Sequence, residues 1–311
     1  MKLAVRRTYL GDRVCVAGIA GDRLVDLRAA HAYQLSRCGQ DRADAIVRAE
    51  RELPQDLPGL LAADPSLGIA RRVAEQAEAD AARGDLPAEI LWSAEPGALA
   101  PPVGRPRTVW GMTGNYPRTR PAPGEPPPPA RSMTGFLKAA GSLTGPHDEV
   151  IYPAVTSVVH PEVELGVVIG SRARRLTEES AMDAVAGYVI VNDLGSRDIG
   201  ETDNRNTGRA KGFDTYTVLG PWFVTADEIP DPHALAIRFW VNGELRQDGS
   251  TAEMYHRIPE QLAWLTTALT LFPGDVVSTG TPPGVRAVVP GDKLRGEIEG
   301  LGAIENAVVP E

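Results

Sequence analysis

An apolar segment near the middle of the chain, HPEVELGVVIG at residues 160–170, carries two glutamates and constrains the fold most strongly. Successive side chains of an extended strand point to opposite faces. Five apolar side chains then share one face, which requires a core: Val159, Val163, Leu165, Val167 and Ile169. Glu162 and Glu164 share the other face, about 7 Å apart by strand rise. Carboxylates this close repel each other unless water or a cation intervenes, so the segment predicts a solvent-exposed sheet face or a cation site.

The size, charge and cysteine content limit the class of protein. The chain has 311 residues, of which 42% are hydrophobic, enough for one large domain or a large and a small one. The net charge of −9 argues against a nucleic-acid partner, which requires a basic surface, but leaves open a small anionic substrate. Cys15 and Cys38 are too few for a disulfide framework or a zinc site. The chain carries no long apolar stretch or signal-like N-terminus, which predicts a cytoplasmic protein without a membrane partner.

The first third of the chain combines strand and helix patterns. Residues 2–9 and 13–19 are predicted strands, because Gly-Asp turn signals follow both. Residues 41–84 are predicted to be helical. Residues 94–107 are rich in proline and glycine, which indicates a boundary.

The remainder is predicted to be β-rich, because short apolar runs alternate with turns from residue 136 onward. Two helices interrupt this pattern. The first is predicted over 177–189, where Ala181, Val185 and Tyr188 repeat at helical spacing, and the second over 258–272. We therefore predict an α+β chain with a small N-terminal domain and a β-rich second domain, at 1–100 and 105–311.

A proline-rich segment opens the second domain. Residues 115–131, NYPRTRPAPGEPPPPAR, contain seven prolines. Proline removes a backbone donor, so this segment is neither a helix nor a central strand. It is predicted to be a stiff surface loop or a lid over a site.

The candidate chemistry is acidic. The predicted strand GYVIVND ends in Asp193, the kind of position where enzymes place functional side chains. Glu162, Glu164 and Asp193 together suit a hard cation such as Mg²⁺, Mn²⁺ or Ca²⁺. In DVVSTGTPPGV, Thr281 presents a hydroxyl and a backbone N–H in a tight loop. Such a loop can bind a carboxylate or an oxyanion, or can be only a turn.

Five stretches resemble, in order and spacing, motifs of the fumarylacetoacetate hydrolase family. They are HPEVELGVVIG, GYVIVNDLGSRD, KGFDTYTVLGPWFVT, VNGELRQDGST and LFPGDVVSTGTPPGV. The resemblance covers the chain from about residue 107 to its end, and MKLAVRRTYLGDRVCV is similar to the family's N-terminal region. It implies a mixed β-sandwich or β-roll C-terminal domain, a small N-terminal α+β domain, and a homodimer.

The resemblance also implies a site and a reaction. The family's metal ligands fall on Glu162, Glu164 and Asp193, for Mg²⁺ or Mn²⁺, with Ca²⁺ also possible. Its catalytic positions fall on Lys211, Arg197 and Thr281, and its substrate-binding positions on Tyr116, Lys138 and Gly280. Family substrates are small 2-oxo or 1,3-dicarbonyl acids that chelate the metal, which acts as a Lewis acid and stabilises the enolate. The family's default reaction is hydrolysis of a C–C bond.

The proline-rich segment departs from the family pattern. Hydrolytic members carry a histidine and a glutamate that activate water, but these positions are Thr119 and Ala122 here, and the glutamine after the RD motif is Gly200. The base for hydrolysis is then Glu125, His147 or another residue. Alternatively, the reaction needs no activated water, as in decarboxylation, tautomerisation, dehydration or a ring-forming condensation. A catalytically inactive dimeric binding protein is the remaining interpretation.

Overall fold

The computed structural model of the protein describes residues 1–19, 21–119 and 129–311, so Ala122 and Glu125 lie outside the described residues. The strands are β1 (Lys2–Arg6), β2 (Arg13–Ile19), β3 (Arg23–Asp26), β4 (Leu91–Ser93), β5 (Leu99–Ala100), β6 (Val109–Thr113), β7 (Thr134–Leu137), β8 (Leu143–Thr144), β9 (Val150–Tyr152), β10 (Val159–His160), β11 (Val163–Ile169), β12 (Val185–Asp193), β13 (Gly195–Ser196), β14 (Thr217–Thr225), β15 (Ala236–Val241), β16 (Glu244–Ser250), β17 (Val276–Ser278), β18 (Lys293–Ile298) and β19 (Gly302–Pro310). The α-helices are α1 (Leu27–Arg37), α2 (Arg42–Glu52), α3 (Leu57–Ala63), α4 (Gly68–Arg83), α5 (Glu178–Ala181), α6 (Arg197–Thr202), α7 (Thr207–Ala210) and α8 (Ile258–Ala268). Within these ranges, no helix has the length and hydropathy needed to cross a bilayer.

A large mixed sheet organises the fold. Its strands run in the order β4-β3-β2-β1-β14-β12-β11-β17-β6-β7. The strands of a second sheet run β16-β15-β18-β19-β9, and β10 pairs with β13. Most neighbours are antiparallel. The parallel pairs are β17 with β6, β14 with β8, and β19 with β9. This mixed α+β architecture confirms the predicted fold class.

Strand β11 lies inside the large sheet and is buried over its whole length. The five residues of the predicted apolar face belong to the main hydrophobic core, which they share with Ile237 of β15 and Ile304 of β19. The opposite face is also covered, because Val168 packs in a second core with Leu61 and Val73 of helices α3 and α4. Glu164 therefore does not lie on a solvent-exposed sheet face, which excludes that interpretation.

The N-terminal strands continue the large sheet. The strands predicted at 2–9 and 13–19 are present as β1 and β2, and β1 pairs with β14 through Lys2 and Val224. The helical prediction for 41–84 is confirmed by α2, α3 and α4. Helix α1 was not predicted. Its N-terminus is capped by Asp26, whose carboxylate accepts a hydrogen bond from the Ala29 N–H. The division at 94–107 stays a prediction.

The helix predicted over 177–189 is largely wrong. Helix α5 ends at Ala181, one 3₁₀ turn follows, and β12 begins at Val185. Pairing of β12 with β11 and β14 overrides the helical spacing, and Tyr188 is buried in the main core as a strand residue. The helix predicted over 258–272 is confirmed as α8 over its first eleven residues, with Pro259 in its first turn.

The close packing of β12 generates a prediction at Gly187. A Cβ there would lie 2.1 Å from the backbone oxygen of Val224. Because backbone cannot move aside easily, we expect Gly187→Ala to lower the free energy of unfolding by about 1–3 kcal/mol, measured by urea denaturation of the metal-free protein. Gly141→Ala is the matched control, because a Cβ at Gly141 meets nothing within 4 Å, and its effect should stay within about 0.5 kcal/mol. Equal effects would show that β12 relaxes freely.

Candidate metal centre

Three carboxylates meet where β11 begins and β12 ends. The antiparallel register pairs Val163 with Asn192, so the last residue of β12 lies beside the segment that precedes β11. The Asp193 N–H donates to the Glu162 carbonyl at 2.8 Å. Glu162, Glu164 and Asp193 each offer one oxygen, and these oxygens lie within 4.8 Å of one another.

The cluster has the chemistry of a site for a hard divalent cation. Oxygens bound to one Mg²⁺ or Ca²⁺ ion lie about 2.0–2.6 Å from it, hence up to about 5 Å from each other. Glu164 and Asp193 are each 1% exposed. Burial, together with the charges of Asp193 and Glu162, raises the pKa of Glu164 to about 8. A cation would relieve this repulsion, so the donor set fits Mg²⁺, Mn²⁺ or Ca²⁺.

Lys211 lies at the open side of the cluster. Its ammonium group donates to Glu162 Oε2 at 2.6 Å, to Asp193 Oδ2 at 3.0 Å and to the Asp193 carbonyl at 2.9 Å. Its stem lies over Gly195, where a Cβ would be 2.8 Å from Lys211 Cε. Burial alone would lower the pKa of Lys211. The negative charges of Asp193, Glu162 and Glu164 outweigh burial, so the pKa of Lys211 lies above its usual value. The ammonium group is therefore charged.

Lys138 lies behind Asp193. Its side chain has no exposed surface. It donates to Asp193 Oδ1 and to the Tyr216 carbonyl, the latter at 2.8 Å. Burial would raise the pKa of Asp193, but Lys138 and Lys211 hold it below its usual value. Lys138 thus stabilises the ionised form of Asp193 from within the protein interior.

The end of β17 and the loop that follows it hold Glu164. Ser278 Oγ donates to Glu164 Oε2 at 2.6 Å, and the Gly280 N–H donates to the same oxygen at 2.7 Å. Gly280 has φ +95°, a conformation that favours glycine. The Thr281 hydroxyl donates to the Val163 carbonyl at 2.8 Å. Its hydrogen is therefore directed to the backbone beside Glu164. Ser278 was not identified from the sequence.

Tyr116 packs against the same loop. A Cβ at Gly280 would lie 3.4 Å from Cδ2 of the Tyr116 ring. Tyr116 is 4% exposed, and its hydroxyl has no hydrogen-bond partner in the described part of the chain. Burial and the charge of Glu164 raise the pKa of Tyr116 well above its usual value. The hydroxyl is thus a neutral donor on a ring that packs against the loop that holds Glu164.

Arg197 is placed differently from Lys211. It begins helix α6, and its side chain is 63% exposed. Its Nε donates to Glu201 Oε1 at 3.1 Å, one helical turn away. In this conformation the guanidinium contacts its own helix rather than the carboxylate cluster.

Of the positions considered for water activation, the three that the structure describes do not join the cluster. Thr119 is exposed and Gly200 lies within helix α6. His147 is partly buried beside Glu305 of β19, and burial lowers its pKa.

A histidine–carboxylate pair that the sequence reasoning missed adjoins the proline-rich segment. His256 Nδ1 lies 3.1 Å from Glu260 Oε2, and His256 Nε2 lies 2.7 Å from the Arg131 carbonyl. The His256 N–H donates to Asn115 Oδ1 at 2.9 Å. The start of α8 is therefore bonded to both ends of the segment 115–131. The i,i+4 spacing of a histidine and a glutamate was the available sequence signal.

Residues 108–309 match the sequence model described as fumarylacetoacetate (FAA) hydrolase C-terminal. The chain belongs to the fumarylacetoacetate hydrolase family, as the motifs predicted.

Individual relatives are enzymes that act on small organic acids. The 4-hydroxyphenylacetate degradation bifunctional isomerase/decarboxylase of Escherichia coli is 44% identical over 184 residues, which are 59% of this chain and 43% of that protein. The chain thus matches less than half of that relative. Human mitochondrial oxaloacetate tautomerase FAHD2A is 42% identical over 185 residues, 56% of this chain and 58% of that protein.

A solved structure matches the whole chain. Maleylpyruvate hydrolase from Sphingobium sp. SYK-6, in complex with manganese(II) ion and pyruvate, superposes with a TM-score of 0.70 and 30% identity. The match covers 100% of this chain and 99% of that one.

The buried pair of Lys138 and Asp193 generates a prediction on stability. Lys138→Met leaves a buried carboxylate without its main partner, so we expect the free energy of unfolding to fall by about 3–5 kcal/mol. Urea denaturation in EDTA would measure this. Arg197→Met is the matched control, because it removes an exposed ion pair worth at most about 1 kcal/mol. A small effect of Lys138→Met would mean that Asp193 is neutral or solvated.

Proposed function

We propose that the protein is a divalent-metal-dependent enzyme that acts on a small 2-oxo acid or 1,3-dicarbonyl acid. The observation that carries the proposal is the cluster of Glu162, Glu164 and Asp193, whose oxygens lie within 4.8 Å of one another. Carboxylates buried this closely would be costly without a cation to balance them, which also argues against an inactive binding protein. The Sphingobium relative is described with manganese and pyruvate, a small 2-oxo acid.

Mg²⁺ or Mn²⁺ bound by these carboxylates would supply a Lewis acid for the substrate's oxo group. Lys211 orients the end of the substrate away from the oxo group. Its charged ammonium lies at the cluster, and its side chain is 13% exposed. There it can bind a substrate carboxylate or negative charge that develops on oxygen. Lys138, fully buried, holds Asp193 in place from behind.

The reaction that these residues support best is isomerisation or decarboxylation rather than hydrolysis. Thr119 and Ala122 carry no group that could activate water. Conversion of an enol to its keto form moves a proton from oxygen to carbon. It requires loss of the enol O–H proton, stabilisation of negative charge on the enolate oxygen and a proton donor at carbon, with no attacking water. The Tyr116 hydroxyl is buried and without a partner among the described residues, so it is available to donate to the substrate. The relatives from Escherichia coli and human are named as an isomerase/decarboxylase and a tautomerase.

C–C bond hydrolysis is the second candidate. It is favoured by the similarity over the whole chain to a maleylpyruvate hydrolase. This reaction requires a base to activate water. Among the described residues, His256 and Glu260 form a histidine–carboxylate pair that adjoins the segment 115–131, and this pair is the candidate base.

Glu164→Gln tests the proposed metal centre. The substitution removes the charge of a buried ligand, so we expect Mn²⁺ affinity to fall by more than about 100-fold. This exceeds the loss of about 10–100-fold that follows mutation of a residue that only hydrogen-bonds to a metal ligand. Calorimetric titration of the metal-free protein with Mn²⁺, with and without oxalate as an enolate mimic, would measure it. Oxaloacetate, named in the human relative, is proposed as the 2-oxo acid for the assay. Its conversion from enol to keto form, followed by ultraviolet absorbance, should cease as well. Glu201→Gln, which alters an exposed carboxylate, should change neither; turnover that survives Glu164→Gln refutes the mechanism.

Tyr116→Phe tests the proposed donor. We expect kcat on oxaloacetate to fall about 100-fold, as for loss of a preorganised donor, with Mn²⁺ affinity unchanged. The metal-free protein should become more stable by about 1 kcal/mol, because a buried hydroxyl without a partner costs free energy. Steady-state kinetics and urea denaturation measure the two effects. Unchanged kcat would exclude Tyr116 from the reaction.

A further inference from the structure

Gln247, on strand β16 of the second sheet, reaches the loop that follows β17. It is 1% exposed. Its Nε2 donates to the Pro282 carbonyl at 2.6 Å and to Thr281 Oγ1 at 2.9 Å. Because a carbonyl only accepts hydrogen bonds, the contact with Pro282 fixes which end of the amide faces the loop. Thr281 Oγ1 therefore accepts from Gln247, and its own hydrogen is directed to the Val163 carbonyl, 2.8 Å away.

This relay ends at the metal-ligand candidates. Val163 lies between Glu162 and Glu164 in the sequence. The neighbour of Thr281 in the loop, Gly280, donates its N–H to Glu164 Oε2 at 2.7 Å. The amide of Gln247 thus fixes a loop that contacts both the Val163 backbone and the Glu164 side chain.

The strand and the loop are also packed without spare room. A Cβ at Gly249 of β16 would lie 2.5 Å from Pro282 Cβ. A Cβ at Gly284 would lie 2.2 Å from the Arg246 carbonyl oxygen. Neither position could carry a larger side chain without separating β16 from the loop. The second sheet therefore sets where the loop lies.

The amide is not explained by stability alone. Gln247 Oε1 is buried and accepts no hydrogen bond from the described part of the chain. A buried acceptor without a partner costs free energy, so this end of the amide is kept at a cost while the other end serves the loop. We propose that Gln247 is a positioning residue of the metal centre, which acts through Thr281 and the loop to orient Glu164. The inference rests on the proposed function.

Gln247→Met tests the inference in the intact protein, because methionine keeps the length of the side chain and removes the donor. We expect the Kd for Mn²⁺, measured by calorimetry, to rise about 10-fold. The electron paramagnetic resonance spectrum of bound Mn²⁺ should change. The urea midpoint of the metal-free protein should fall only modestly, because the buried Pro282 carbonyl loses its donor. Gln55→Met is the matched control, because Gln55 is exposed and donates to the Asp12 carbonyl.

A double-mutant cycle tests the relay itself and gives a second variant if Gln247→Met fails to fold. Thr281→Val should also raise the Kd about 10-fold, and adding Gln247→Met to it should give little further loss. Additive effects, or a Gln247→Met variant with wild-type Kd and spectrum, would overturn the inference and leave the proposed function standing. A wild-type protein that binds no Mn²⁺ would instead refute the proposed function.

Discussion

The structure around the site depends on the balance of charge between three carboxylates and two lysines. Glu162, Glu164 and Asp193 converge where water is largely excluded, and ionised carboxylates there repel each other strongly. Lys138 neutralises Asp193 from the buried side, and Lys211 bridges Asp193 and Glu162 from the open side. Two positive charges against three negative ones leave Glu164 least compensated, in agreement with its raised pKa of about 8. The cluster therefore favours further positive charge.

This balance is kept because paired strands of the large sheet fix two of the carboxylates relative to each other. Glu164 belongs to β11, which is paired on both sides, and Asp193 ends β12, which lies between β11 and β14. Ser278 at the end of β17, which pairs with β11, and Gly280 in the loop that follows then supply donors to Glu164. Regular hydrogen-bonded strands hold two of the ligand candidates, whereas Glu162, just outside β11, retains 27% exposure of its side chain. Rigid strands on two sides suit a site that must keep like charges together.

The sequence predicted what depends on short-range pattern and failed where distant contacts decide. Alternation along β11 and the acidic end of β12 were readable, because strand geometry alone places those side chains. The strand identity of Tyr188 was not, since pairing with neighbouring strands overrides its helical spacing. Helix α1 was missed, and the roles of Ser278 and Gln247 arise from contacts between segments more than 30 residues apart in the chain. The ion pair between Arg197 and Glu201 depends on the rotamer of Arg197, which the sequence pattern does not specify.

The distribution of ionisable groups bears on the class of reaction. Among the described residues, the two lysines that contact the cluster act as donors rather than bases: Lys138 is enclosed, and Lys211 donates to two carboxylates. Activation of water requires a base whose free lone pair lies within hydrogen-bond reach of the attacking water. Tyr116 offers the opposite, a neutral hydroxyl whose raised pKa keeps its proton. A donor of this kind assists reactions in which negative charge develops on a substrate oxygen and needs no water. The proposed isomerase or decarboxylase chemistry follows from that asymmetry between donors and bases.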